Sequence, residues 1–304
     1  MHRIGIMDIG TQSVLFLLAE KSGGRLYRLV ESSANVRLGD VGENGAIREE
    51  RLDTCSRILL DFADQAESAG SERILAVGTD VFRTAPNGRE AADRLADKTG
   101  IPVEILSASE EAALSFRGAM WKRDDSGPCW VVDIGGGSTE CILGSDGRMV
   151  QWNSLPLGAV RMHRLLRGDP PEETSMEEMR KRIRELFDSC GELGPGKADT
   201  LIGIGGTVTT LGAMELGLDE YNPDRVNGLV LPESALREWM RFFLNNPVRK
   251  RAEISGLSQE RADIILPGTA IVLHVLERVG LDRLVISDRG LRHGVLIREA
   301  EKLD

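Results

Sequence analysis

The chain has little of what several common protein classes require. Its 304 residues include four cysteines, Cys55, Cys129, Cys141 and Cys190, and four histidines, with no CxxC pair and no metal-ligand spacing among them. That excludes a zinc ribbon or a disulfide framework and leaves reduced, buried thiols in a cytoplasmic protein as the expectation. No apolar run reaches the roughly 18 to 20 residues of a membrane-spanning helix. The opening "MHRIGIMDIG" runs directly into a strand-like segment, where a signal sequence would show a different pattern. Positive charge is also short. Lys and Arg number 38 against 48 Asp and Glu, a formal net charge of −10 that argues against a nucleic-acid or membrane binder. An anionic substrate stays open, provided that amides, arginines and a metal meet it locally.

What is present is an alternation of strand and helix patterns, over a length that suits two domains. "RIGIMDIG" and "SVLFLLAEKSGGRLYRLVESSANVRLG" predict three strands, the last two joined by a turn at the "SGG" of residues 22 to 24. Leu52, Cys55, Leu59, Phe62 and Ala66 recur at three- and four-residue steps, which predicts a helix over about 49–69 stopped by Gly70. The strand "RILAVGT", a helix over about 87–99, the strand "VEILSA" and the helix "EEAALSFRGAM" follow. Such alternation argues for a mixed α/β sheet with helices on its faces.

The polar stretch "WKRDDSGP" at 121–128 reads as a hinge. Beyond it the pattern restarts, because "CWVVDIGGGSTECILG" repeats the strand–turn–strand of "RIGIMDIGTQSVLFLLAE" with Asp8 and Asp133 in equivalent places. Two related units are expected. Ser175 and Glu178 predict a capping box opening a helix over about 175–191, whose buried stripe is Met176, Met179, Ile183, Leu186, Phe187 and Cys190. "TLIGIGGTVTTLGAM" reads as strand, glycine turn and helix. Further helices are expected over about 233–245 and 259–279, the second kinked at Pro267, then the strand "RLVISD" and a helix from about Gly290.

Three glycine–hydroxyl turns stand out: Gly10-Thr11-Gln12-Ser13, Gly135-Gly136-Gly137-Ser138-Thr139 and Gly205-Gly206-Thr207. Consecutive backbone N–H groups in such turns make concave anion sites, and a helix N-terminus adds to the third. Neither a P-loop nor a GxGxxG in a strand-to-helix setting is present. A single turn of this kind is more often structural. Three of them, two preceded by aspartate, point to phosphate.

On "DIGTQS", "VVDIGGGSTE" and "GIGGTVTTL" the chain resembles the actin-like ATPase superfamily of sugar kinases and actin. More narrowly, it resembles the exopolyphosphatase/guanosine pentaphosphate phosphatase family. The supporting segments are "VRLGD" at 36, "VGTDVFRTAPN" at 77, "ILSASEEA" at 105, "LPLGAVRM" at 155, "YNPDRVNG" at 221, "ERADIILPG" at 260 and "SDRGLRHG" at 287. The resemblance implies two actin-like (ribonuclease H-like) lobes, each a mixed sheet flanked by helices, with an interlobe cleft. The first lobe would span 1–120 plus about 290–304 and the second 121–289, with no C-terminal helical extension.

It also implies an exopolyphosphatase, hydrolysing the terminal phosphoanhydride of inorganic polyphosphate with Mg²⁺ and releasing orthophosphate. A monovalent cation such as K⁺ is a candidate second ion. Hydrolysis of guanosine pentaphosphate to tetraphosphate is the close alternative. An ATP-dependent phosphotransferase and a non-catalytic sensor of polyphosphate or guanosine tetraphosphate are further ones. A cytoplasmic homodimer without nucleic-acid or membrane partners is expected.

Glu110 and Glu111, taken alone, read as first-turn glutamates favoured by a helix dipole. The resemblance makes Glu111 the base that activates water and Glu140 a catalytic and metal-holding acid, with Asp133 and Asp8 as further metal residues. It places Arg83, Gly10, Thr11, Ser13, Gly136, Gly137, Ser138, Thr139, Gly206 and Thr207 against substrate phosphate. Arg289 and Arg292 are expected in interlobe packing, and Asn87 as a helix cap or turn residue. Gln12, Ala108 and Asn227 depart from the family's usual asparagine, glycine and histidine, which bears on substrate preference and rate more than on reaction type.

Overall fold

A computed structural model of the chain describes residues 1–123, 127–189 and 197–303. Cys190 and the centre of the hinge stretch, 124–126, lie outside the described residues. The chain divides into two compact units, Met1–Gly118 with Leu291–Asp304, and Ala119–Gly290.

In the first unit β1 (His2–Ile9), β2 (Ser13–Ser22) and β3 (Arg25–Asn35) form an antiparallel meander. β4 (Arg73–Gly78) and β5 (Val103–Ile105) add in parallel on the other side of β1, giving the order β3-β2-β1-β4-β5. β1 is apolar almost throughout because both of its faces are covered. Met7 and Ile9 pack with Phe16 and Leu18 under Leu52 and Leu59 of the helix Glu49–Ser68 and Leu95 of the helix Gly88–Thr99. Leu59 and Leu95 are fully buried, which stabilises the unit by roughly 1.5–3 kcal/mol each. Ile4 and Ile6 pack on the other face with Leu114 and with Leu291 and Val295 of the returning helix Leu291–Glu301. By strand alternation Asp8 falls on that second face.

The helix Ala108–Met120 lies so close to the returning helix that a Cβ at Gly294 would overlap the Leu114 carbonyl. This contact fixes the helix whose first turn contains Glu110 and Glu111. Arg292, expected in interlobe packing, pairs with Glu31 inside this unit. Asn87 sits at the N-cap position of its helix, but its side chain bonds the backbone N–H and carbonyl of Ile47 at 2.9 and 3.0 Å.

The second unit contains β6 (Cys129–Ile134), β7 (Thr139–Ser145), β8 (Arg148–Leu155), β9 (Thr200–Ile204), β10 (Val230–Pro232) and β11 (Arg283–Ile286). Read from the β8 edge, the order β8-β7-β6-β9-β11 repeats the pairing senses of the first sheet, two antiparallel and then two parallel. β10 adds an antiparallel edge. The two units therefore share the actin-like arrangement, each a mixed sheet flanked by helices. Arg289 donates to the Trp121 carbonyl at 2.7 Å within the second unit.

Two local expectations are corrected. The helix expected from Ser175 spans Glu173–Asp188, and Ser175 lies inside its first turn. The Ser175 hydroxyl donates to the Glu172 carbonyl and accepts from the Arg167 N–H, while Glu178 takes the Arg167 guanidinium on both oxygens. No capping box forms there. The expected helix with a kink at Pro267 is instead two elements, a short 3₁₀ turn Gln259–Arg261 and the helix Ile265–Val279. Pro267 falls in the first turn of that helix, where its missing N–H leaves no intrahelical bond unmade.

Candidate active site

The first two glycine turns close in the same way, Gly10 N–H to the Ser13 carbonyl at 2.9 Å and Gly135 N–H to the Ser138 carbonyl at 3.0 Å. Three further carbonyls of the second turn and two of the first are held from behind. In the second unit Ala159 N–H donates to Gly135, Val160 and Arg161 N–H both donate to Gly136, and Arg161 Nε donates to Gly137 at 2.9 Å. In the first unit Gly39 N–H takes the Thr11 carbonyl, and Val36 and Arg37 N–H take that of Gln12. Across a trans peptide the N–H points opposite to the C=O. The amides of Gly136, Gly137 and Ser138 therefore all point away from residues 159–161, and those of Gln12 and Ser13 away from 36–39. Successive amides turned one way form an anion-binding concavity.

The hydroxyls divide in their roles. Ser13 donates to Asn35 Oδ1 at 2.9 Å, with Gln12 Nε2 on the same oxygen at 3.4 Å. Thr139, expected against phosphate, is fully buried and donates to the Leu157 carbonyl at 2.5 Å, so its hydroxyl braces the turn. Thr11 and Ser138 are nearly buried in their turns.

Glu110 and Glu111 are adjacent in sequence and unlike in environment. Ser107 N–H and Oγ both donate to Glu110 Oε2, at 2.8 and 2.7 Å, and Glu110 N–H donates back to Ser107 Oγ at 3.2 Å. This is the capping box of the helix, and the Ser107 bonds hold the exposed Glu110 carboxyl below its ordinary range. Glu111 is 6% exposed, and its Oε2 takes Arg83 Nη1 at 2.6 Å, with the same nitrogen also on the Leu106 carbonyl at 2.9 Å. Arg83 comes from the short helix Asp80–Thr84 just after β4.

In the second unit Asp133 and Glu140 are direct cross-strand partners, so their carboxylates share one face of the sheet. Glu140 is almost fully buried and accepts from Ser154 Oγ at 2.7 Å, across the next strand pair. In the first unit Asp8 lies opposite Leu15, so one acid stands where the second unit has two. Among the described residues no three acid, histidine or cysteine side chains gather as a metal cage. The Asp133–Glu140 pair nevertheless fits Mg²⁺, which commonly takes one or two carboxylates and completes its shell with water and phosphate oxygens.

The third turn lies beside that pair. Gly205 has φ +88°, and a Cβ there would lie 2.8 Å from Asp133 Oδ1, so both conformation and space require glycine. Gly206 and Thr207 begin the helix Gly206–Glu215. The Arg261 guanidinium lies against Gly206, and burial holds it below its ordinary value. A half-buried guanidinium beside the positive end of a helix favours an anion.

Asn35, Ser154, Arg161 and Arg261 were not singled out from the sequence. Ser107 and Glu110 carry a readable signal, an S-x-x-E spacing before an apolar run. Ser154 follows from pairing β8 beside β7. The other three sit in segments quoted for the family resemblance or next to one, but nothing local marks them.

A model of the Ppx/GppA phosphatase family matches residues 17–303. Exopolyphosphatase 2 of Mycobacterium tuberculosis is 31% identical over 98% of both chains. The crystal structure of the Aquifex aeolicus member of the Ppx/GppA family is 31% identical, with TM-score 0.83 over 100% of this chain and 99% of that one. The guanosine-5'-triphosphate,3'-diphosphate pyrophosphatase of Vibrio parahaemolyticus is 26% identical over 98% of this chain and 59% of that enzyme.

Proposed function

The chain belongs to the Ppx/GppA phosphatase family of phosphoanhydride hydrolases, and from that membership we propose that it is an exopolyphosphatase, removing orthophosphate from the end of inorganic polyphosphate. The observation that carries the reading is the separation of the two glutamates. Glu110 is occupied as a helix cap, whereas Glu111 is buried and charge-paired with Arg83.

In this reading a water oxygen attacks the terminal phosphorus, the bridging P–O bond breaks, and Glu111 takes the water's proton. The shortened chain leaves with the bridging oxygen. Arg83 aligns the Glu111 carboxylate, and its guanidinium offers further N–H donors to phosphate oxygens. The amides of Gln12, Ser13, Gly136, Gly137 and Ser138 and the helix start at Gly206 and Thr207 hold the polyphosphate oxygens, with Arg261 supplying charge. Asp133 and Glu140 would hold Mg²⁺. When bound, that ion neutralises phosphate charge in a reaction whose catalysis is mostly positioning and electrostatics. The Vibrio relative supports a second reading, guanosine pentaphosphate as substrate, since the turns recognise phosphate and would take either chain end. The buried thiols of Cys55, Cys129 and Cys141 fit a reducing compartment, and light scattering of the purified protein tests the proposed homodimer.

The test is orthophosphate release from long-chain polyphosphate and from guanosine pentaphosphate, for wild type and Glu111→Gln. Loss of about 10²–10⁴-fold in kcat on polyphosphate with the fold retained is expected. Faster wild-type release from the nucleotide would give the second reading instead. Equal rates for both proteins would remove Glu111 as the base.

A further inference from the structure

The three carbonyls at the back of the Gly135–Ser138 turn are not held alike. Those of Gly135 and Gly136 are taken by backbone N–H groups of Ala159, Val160 and Arg161, which any residue would supply. Gly137 is different, because its carbonyl is taken by a side chain, Arg161 Nε, at 2.9 Å. In the first unit the turn position equivalent to Gly137 is Gln12, and two backbone N–H groups hold its carbonyl. The second unit has replaced backbone donors with one arginine.

We propose that Arg161 is a positioning residue for phosphate binding: by holding the Gly137 carbonyl it keeps the opposite end of that peptide, the Ser138 N–H, directed with the amides of Gly136 and Gly137. This rests on the reading of the turn as a phosphate site, and adds a residue that acts through the backbone. The work is done by the directed Nε–H bond, which the guanidinium charge strengthens but which a neutral amide N–H can also make. Gln has its amide nitrogen the same number of bonds from Cα as Arg Nε, so Arg161→Gln keeps the donor and removes the charge. Arg161→Met keeps similar bulk and has no donor.

The experiment measures the affinity of wild type, Arg161→Gln and Arg161→Met for inorganic tripolyphosphate by calorimetry, with thermal unfolding to establish that each is folded. The backbone amide signals of ¹⁵N-glycine- and ¹⁵N-serine-labelled protein are recorded alongside. Losing a hydrogen bond that leaves a carbonyl unpaired predicts about tenfold weaker binding for Arg161→Met and no more than about threefold for Arg161→Gln. The Ser138 amide signal moves in the methionine variant and returns in the glutamine variant. Glutamine as weak as methionine, or methionine binding like wild type, overturns the proposal. Should wild type neither bind tripolyphosphate nor release phosphate, the functional reading falls by itself. The Ser138 signal then decides: moved by Met and restored by Gln upholds the positioning role, and unmoved by Met refutes it.

Discussion

Replacing Gly158 by alanine tests whether the second glycine turn depends on the segment behind it. Gly158 has φ −151° and ψ 162°, an extended conformation open to any residue, so backbone freedom gives no reason for glycine. Space does. A Cβ there would lie 2.5 Å from the Gly137 nitrogen and closer still to the Gly136 carbonyl, against the 3.4 Å at which ordinary contact begins. All three clashing atoms are backbone, and the Gly136 carbonyl is tied to Val160 and Arg161 N–H at 2.9 and 3.1 Å. Separating the two segments enough to admit the methyl stretches those bonds out of hydrogen-bonding range. Two lost bonds at about 1 kcal/mol each, with overpacking strain of about 1–3 kcal/mol, give a destabilisation of about 3–5 kcal/mol. For a unit of this size the unfolding midpoint should fall by roughly 6–20 °C. Tripolyphosphate affinity should fall by at least about tenfold, since the amides lose their common direction. Gly127→Ala, where nothing among the described residues lies within 4 Å, is the control. A Gly158→Ala protein matching that control in melting and in calorimetric affinity would refute the templating argument.

Ser154→Ala removes the donor to Glu140 Oε1 and should raise the Mg²⁺ concentration for half-maximal phosphate release by about tenfold, the usual scale for a residue that orients a metal ligand. An unchanged Mg²⁺ titration would separate Glu140 from the metal. A pH effect is expected at Glu299, whose side chain is fully buried in the first unit. Burial alone raises its carboxyl, but Lys302, Arg298 and Arg73 together outweigh that and leave it below the ordinary 4.5. Because the folded value is the lower one, the stabilisation is present above about pH 4.5 and is lost as pH falls through the folded value. Unfolding midpoints measured from roughly pH 6 to pH 3 should therefore drop less steeply for Glu299→Gln than for wild type. Parallel curves would contradict the assignment.

How much was legible from the sequence depended on the range of the interactions. The sheets were readable because β1 and β6 are largely apolar, and the repeated Asp-Ile-Gly that ends each strand placed the turns between strands. Pro267 was misread because a proline in an apolar run looks the same in a first turn as in a helix centre, and only the 3₁₀ break before Ile265 separates the two cases. The two capping patterns teach more. Ser175–Glu178 and Ser107–Glu110 have the same spacing, yet only the second closes. At the first, the helix already begins at Glu173, so Ser175 lies inside its first turn and bonds Glu172 and Arg167 instead, while Arg167 takes Glu178. At the second, Ser107 stands just before the helix, and Arg298, which acts on Glu110 from a distance, is bonded to Glu104, so the cap forms. That local bond also separates the two neighbours: Glu110 is held at the helix end, and Glu111, about 100° further round the helix, pairs with Arg83. Arg161 had no comparable signal, since its partner is a carbonyl 24 residues away whose direction depends on a turn already folded.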